Sequence, residues 1–170
     1  SDETSARWAT QWAAENYGPV YLRLSRDVYP DLYPAGTQFE MGKGAVVREG
    51  TDVTVIACGL LVHKALEAAE ELAKTGVSVR VVDMYSIKPI DAELIVRCAR
   101  ETGAIVVAEE HNIYGGLGSV LAYAGVGAPT EFVGIRDVFT ESGKYAELLA
   151  KYGVDAAGVR AAIETVLSRK

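Results

Sequence analysis

Four short, almost wholly apolar runs, VTVIA (Val53–Ala57), VSVRVVDM (Val77–Met84), IVVA (Ile105–Ala108) and FVGI (Phe132–Ile135), alternate with segments whose apolar residues recur every three or four positions. A strand without polar alternation is covered on both faces, and strands separated by helices return parallel through right-handed crossovers. The pattern therefore predicts an α/β three-layer sandwich built on a mostly parallel sheet of about five strands. Ala45–Val47, reached through a connector rather than a helix, can add an antiparallel edge strand.

The helices carry their own punctuation. Leu61, Ala65, Leu66, Ala69 and Leu72 share one helical face, and Gly76 stands where a C-terminal cap belongs. Asp91 can cap a helix running to Thr102, with Ile90 as a staple residue, and Gly103 ends it. A short helix is expected from about Gly118 to Ala124, and two more over Tyr145–Tyr152 and Asp155–Leu167. Ahead of this series, Thr4–Asn16 reads as a helix with Trp8 and Trp12 on one stripe, and Val20–Leu24 alternates as a strand would. The Pro- and Gly-containing stretch that follows has little periodicity. The expected organisation is thus a leading piece over 1–30, a connector over 31–44 and the α/β domain over 45–170.

Bulk properties narrow the function. A net charge of −6 leaves no excess of Lys and Arg for a nonspecific nucleic-acid or anionic-membrane surface. No apolar run approaches the ~20 residues needed to cross a bilayer, and the N-terminus has neither the basic nor the apolar region of a signal peptide. Ser1 is expected to be a cut rather than a natural start. Cys58 and Cys98 lack CxxC spacing and are expected to be buried, reduced thiols in a cytoplasmic protein.

The segment AIVVAEEHNIYGGLGS (Ala104–Ser119) leads from a strand's carboxyl end into a glycine turn, where open α/β sheets place ligands. Gly115, Gly116, Gly118 and Ser119 lack the third glycine of a dinucleotide loop and the Gly-Lys-Ser/Thr of a phosphate loop. They can either hold an anion at a helix start or simply permit a tight turn. Glu109 and Glu110 are adjacent on a strand and face opposite ways, so they do not chelate one ion, and His63 has no ligand spacing with His111. His111 can serve as a hydrogen-bonding turn or interface residue, or as a general base. Of the cations, Arg23 and Arg26 stand out; Arg26, in LSRD, can meet a phosphate bidentately or pair with Asp27 or Asp31.

GKGAVVREGTDVTVIACG, AAEELAKTGVSVRVVDMYSIKPID, ETGAIVVAEEHNIYGGLGS and DVFTESGKYAELLAKYG, in this order, resemble the C-terminal domain of transketolase, in the form split into separate N- and C-terminal halves. The opening helix, GPVYLRL and LSRD look like the last pieces of that family's pyrimidine-binding domain. The resemblance implies ketol transfer between phosphorylated sugars in pentose phosphate metabolism. It also implies thiamine diphosphate and Mg²⁺ held between pyrophosphate- and pyrimidine-binding domains of a dimeric or heterotetrameric assembly. It implies no catalytic or metal-binding residue in this chain, which alone should neither bind the cofactor nor catalyse. Ser25-Arg26-Asp27 matches the family's SRQ tripeptide, implying that Arg26 contacts the substrate phosphate, with Asp27 in place of the usual Gln. Two alternatives stay open: the chain also resembles the C-terminal domain of a 2-oxoacid dehydrogenase E1 β subunit, against which the ESGKYAELLAKYG tail speaks, and the glycine turn Gly115–Ser119 also suits a stand-alone regulatory module binding a small anion.

Overall fold

A computed structural model describes residues 1–25 and 27–170, Tyr123 by its backbone alone. Five strands form one sheet: β1 (Ala45–Arg48), β2 (Val53–Ala57), β3 (Val79–Asp83), β4 (Ile105–Asn112) and β5 (Thr130–Ile135), in the order β1-β3-β2-β4-β5. β2 pairs parallel with β3 and β4, and β4 with β5, whereas β1 runs antiparallel along β3. The mostly parallel three-layer expectation and its antiparallel edge both hold.

Each inner strand feeds both layers, as a period of two requires. Val53, Val55 and Ala57 of β2, with Val106 and Ala108 of β4, face α2 (Leu60–Ala73) and α6 (Ala156–Leu167). Ile56, Ile105 and Val107 face α3 (Ala92–Thr102) and α4 (Leu117–Tyr123). Burying such a side chain contributes ~1.5–3 kcal/mol, so the two layers together account for the all-apolar strands. A last short helix, α5 (Tyr145–Lys151), precedes α6.

The helix ends follow the sequence signals. The Asp91 carboxylate accepts the Leu94 N–H at 3.0 Å, and Gly103 closes α3 at φ 67°, donating its N–H to Ala99 O. Gly76, at φ 87°, donates to Ala73 O just past α2. Among the described residues no helix is long and apolar enough to cross a membrane.

Two expectations change. Val20–Leu24 forms no strand; it has no neighbour in this sheet, and Tyr21 and Leu24 are exposed. β4 runs past its expected end at Ala108 to Asn112, with an irregularity in its register against β5, so His111 joins Glu109 and Glu110 on the strand rather than standing in the turn.

The first helix, α1 (Glu3–Glu15), lies outside both layers. The Asp2 carboxylate caps it through the Ser5 N–H and also accepts the N–H groups of Leu32 and Tyr33. Trp8 packs against Phe39 and Tyr85, and Phe39 in turn meets Tyr33 edge-on. The connector is therefore ordered by an aromatic cluster that joins α1 to the loop after β3.

Candidate functional site

The chain leaves β2 for β3 on one side and then crosses to β4 on the other, so the strand order reverses between β2 and β4. A crevice opens at such a point beyond the strands' carboxyl ends, because the following loops diverge. Here it measures about 1000 Å³ and is lined among others by Asp2, Arg23, Asp27, Cys58, Glu110 and Tyr145.

Glu109, behind the lining residues Arg23 and Cys58, has 5% of its surface exposed. One carboxylate oxygen accepts from Arg23 Nη2 at 2.8 Å, and the other accepts the Leu117 N–H at 2.6 Å. A buried carboxylate is tolerated only when charge and lone pairs are met, and these two partners meet them. Arg23 Nη2 also donates to Cys58 Sγ at 3.3 Å. Burial, reinforced by Glu109, pushes the Cys58 thiol up to about 12. Both cysteines are free and buried.

The three polar residues of β4 diverge as strand geometry demands. Glu110 accepts the Tyr145 hydroxyl at 2.9 Å on the exposed side. That tyrosine is held well above its usual value, by burial and then by its bond to Glu110. His111 is exposed and donates Nδ1–H to Asn112 O at 2.8 Å. No metal site arises: among the described residues no three His, Cys, Asp or Glu side chains come together as ligands.

The glycine turn has local reasons for its composition. Gly115 takes φ 79° and donates its N–H to Ser119 Oγ at 2.9 Å. A Cβ on Gly118 would meet the Phe132 ring at 2.6 Å. The N–H groups of Gly115 and Leu117 are therefore engaged by the chain's own side chains. Arg26 lies outside the described residues.

A second buried polar group escaped the sequence reading. Asp83, at the end of β3, is fully buried and accepts from Ser1 Oγ at 2.7 Å and from the Tyr33 hydroxyl at 2.8 Å. Burial raises its carboxyl above the usual value despite these bonds. The available signal was a carboxylate closing an otherwise apolar strand, VRVVD. His63 is nearby, its Nε2 2.7 Å from Ser1 O and its ring against Tyr29.

Comparison with known proteins agrees with this architecture. The family described as "Transketolase, C-terminal domain" matches residues 42–159. The chain is 38% identical to a 6-deoxy-6-sulfo-D-fructose transketolase subunit of Clostridium sp. (strain MSTE9), covering 99% of this chain and 53% of that protein. It is 40% identical to an apulose-4-phosphate transketolase subunit of Phocaeicola vulgatus, covering 87% of this chain and 49% of that one. A solved structure titled "Split gene transketolase, inactive beta4 tetramer" superposes with a TM-score of 0.95 at 47% identity, covering 99% of this chain and 56% of that chain. The chain thus spans about half the length of these relatives. With its fold superposing along almost its whole length and its sequence matched across the domain, the chain belongs to the transketolase C-terminal domain family.

Proposed function

We propose that this chain is the C-terminal part of a transketolase subunit, supporting the assembly of an enzyme that transfers a two-carbon ketol unit between phosphorylated sugars. The observation that carries the reading is an unfinished surface beside a finished sheet. Tyr17, Tyr21, Leu24 and Val28 are all exposed, and no backbone hydrogen bond joins residues 17–25 or 27–28 to the rest of the chain among the described residues. Apolar side chains and open backbone groups in one extended stretch are what a further sheet would cover. Residues 1–30 are then the end of a pyrimidine-binding domain, 31–44 the connector and 45–170 the C-terminal domain.

The family generally depends on thiamine diphosphate. In this reading that group and its Mg²⁺ belong to the pyrophosphate- and pyrimidine-binding domains, in a dimeric or heterotetrameric cytoplasmic assembly, and supply the carbanion chemistry there. This chain supports those domains and contributes Arg26 to the substrate phosphate.

Mixing the N-terminal half with this chain, and separately with a full-length C-terminal half, tests the proposal through ketol transfer. Activity is expected only with the full-length half. The isolated chain should also bind no thiamine diphosphate by calorimetry, and micromolar binding would overturn the assignment.

A further inference from the structure

The leading helix is held to the sheet domain by hydrogen bonds more than by a core. Of the residues of α1 only Ser5 is buried, and Trp8 is half-buried against Phe39 and Tyr85. Docking therefore leans on a polar knot at the start of the helix. Tyr33 joins two carboxylates there, donating its N–H to Asp2 Oδ2 at 2.8 Å and its hydroxyl to Asp83 Oδ2 at 2.8 Å. Ser1 completes the knot: its Oγ donates to Asp83 Oδ1 at 2.7 Å and accepts the Gly59 N–H at 3.1 Å, while its carbonyl lies 2.7 Å from His63 Nε2.

The two carboxylates are met by different chemistry. Asp2 accepts backbone N–H groups from Ser5, Leu32 and Tyr33, which favour the charged form. Asp83, fully buried at the end of β3 between Ala45 of β1 and Ala57 of β2, receives two hydroxyls instead. A hydroxyl both donates and accepts, so these partners serve the protonated acid as well as the carboxylate. The titratable and charged groups facing Asp83 are Asp2 and the Ser1 amine at the start of α1, Tyr33 of the connector, Tyr85 of the loop after β3 and Cys58 past the end of β2. His63 of α2 stands behind Ser1, on its carbonyl. Burial, which disfavours charge, outweighs the amine and both hydroxyls, and the Asp2 charge adds to it.

We propose that Ser1, Asp2, Tyr33 and Asp83 form a proton-governed clasp that docks α1 and the connector on the carboxyl ends of β2 and β3, so that loss of a proton from Asp83 loosens the leading segment while the sheet stays folded. The physical reason is solvation. In the docked state Ser1 and Tyr33 cover Asp83, whereas release admits water to its charge. The docked state therefore binds the proton more tightly than the released one, and docking weakens as pH rises. Ser1, Asp2, Glu3 and Ala6 line the crevice, so release also removes one of its walls. The clasp does not depend on the chain's place in ketol transfer, and its failure would leave that reading standing.

Hydrogen exchange on the whole chain tests the clasp, because exchange reads rare local openings separately from global unfolding. Amide protection is compared between wild type and Asp83→Asn, which has no proton to lose, at intervals from pH 4 to pH 8.5; the ratio of the two cancels the intrinsic pH dependence of exchange. Over α1 and Leu32–Tyr33 the wild-type to Asp83→Asn protection ratio should fall about threefold or more across that range, while the ratio over β2 and β4 stays within about twofold. A ratio over α1 that does not change with pH overturns the proposal. A fall of the same size over β2 and β4 also overturns it, since Asp83 then acts on global stability and not on a clasp. Should Asp83→Asn fail to fold, Tyr33→Phe carries the test: it removes a donor to the carboxylate and should lower α1 protection more at pH 8.5 than at pH 4, and an equal loss at both ends overturns the proton's role.

Discussion

Glu109 and Gly116 are fitted to each other: a Cβ at 116 would lie 2.2 Å from Glu109 Oε2 and 3.0 Å from His111 Nδ1. Gly116 has φ −91°, a value open to any residue, so the glycine is needed for space and not for backbone freedom. Gly116→Ala must push a buried, hydrogen-bonded carboxylate off the start of α4. The expected cost is ~1–3 kcal/mol, read as a lower urea midpoint with unchanged m value.

Asp83 gives the protein a pH dependence opposite to that of an ordinary paired carboxylate. Burial raises its folded pKa above 3.8, so its contribution to stability is full below that value and is lost as pH rises through the raised one. Asp83→Asn should therefore flatten the decline of melting temperature with rising pH. Tyr33→Phe removes a donor from the charged form and should cost ~1–3 kcal/mol at pH 8, and less as the pH is lowered and the acid takes up its proton. Melting curves of both variants across that range check the sign.

Asp2 behaves in the reverse sense. Burial works to raise its carboxyl, but the bonds from Ser5, Tyr33 and Leu32 outweigh it and hold the group below 3.8. Its stabilisation is present above 3.8 and is lost as pH falls through the lowered value. Asp2→Ala should cost ~1–2 kcal/mol at pH 7, the scale of a helix cap. Denaturant titrations at successively lower pH should show that difference shrinking.

Cys58 is 7% exposed with its thiol raised to about 12, and Cys98 is fully buried. The thiolate is the reactive form, so neither should react quickly in the folded chain. A thiol-specific chromogenic reagent at pH 7.5 should detect almost none in buffer and both in denaturant. Fast labelling of Cys58 in buffer would contradict the packing of Arg23 over it.

The amino-acid sequence by itself determined the layered fold. Val53–Ala57 is apolar at every position because both faces are covered, and Asp91 and Gly103 mark the ends of α3 through local bonds that need no distant partner. The antiparallel edge at Ala45 and the divergence of Glu109 from Glu110 also follow from local rules, the latter from the two-residue period of a strand. The order of its motifs likewise marked the family. Strand formation at Val20–Leu24 could not be read this way, since a ladder requires a neighbour that local alternation does not supply. Only the tertiary structure brought Arg23 to Glu109 and Tyr33 to Asp83, pairs separated by 86 and 50 residues. Such contacts depend on the chain crossing over between β2 and β4 and on the wrapping of the N-terminal segment, and a buried charge declares itself only when the groups around it are in place.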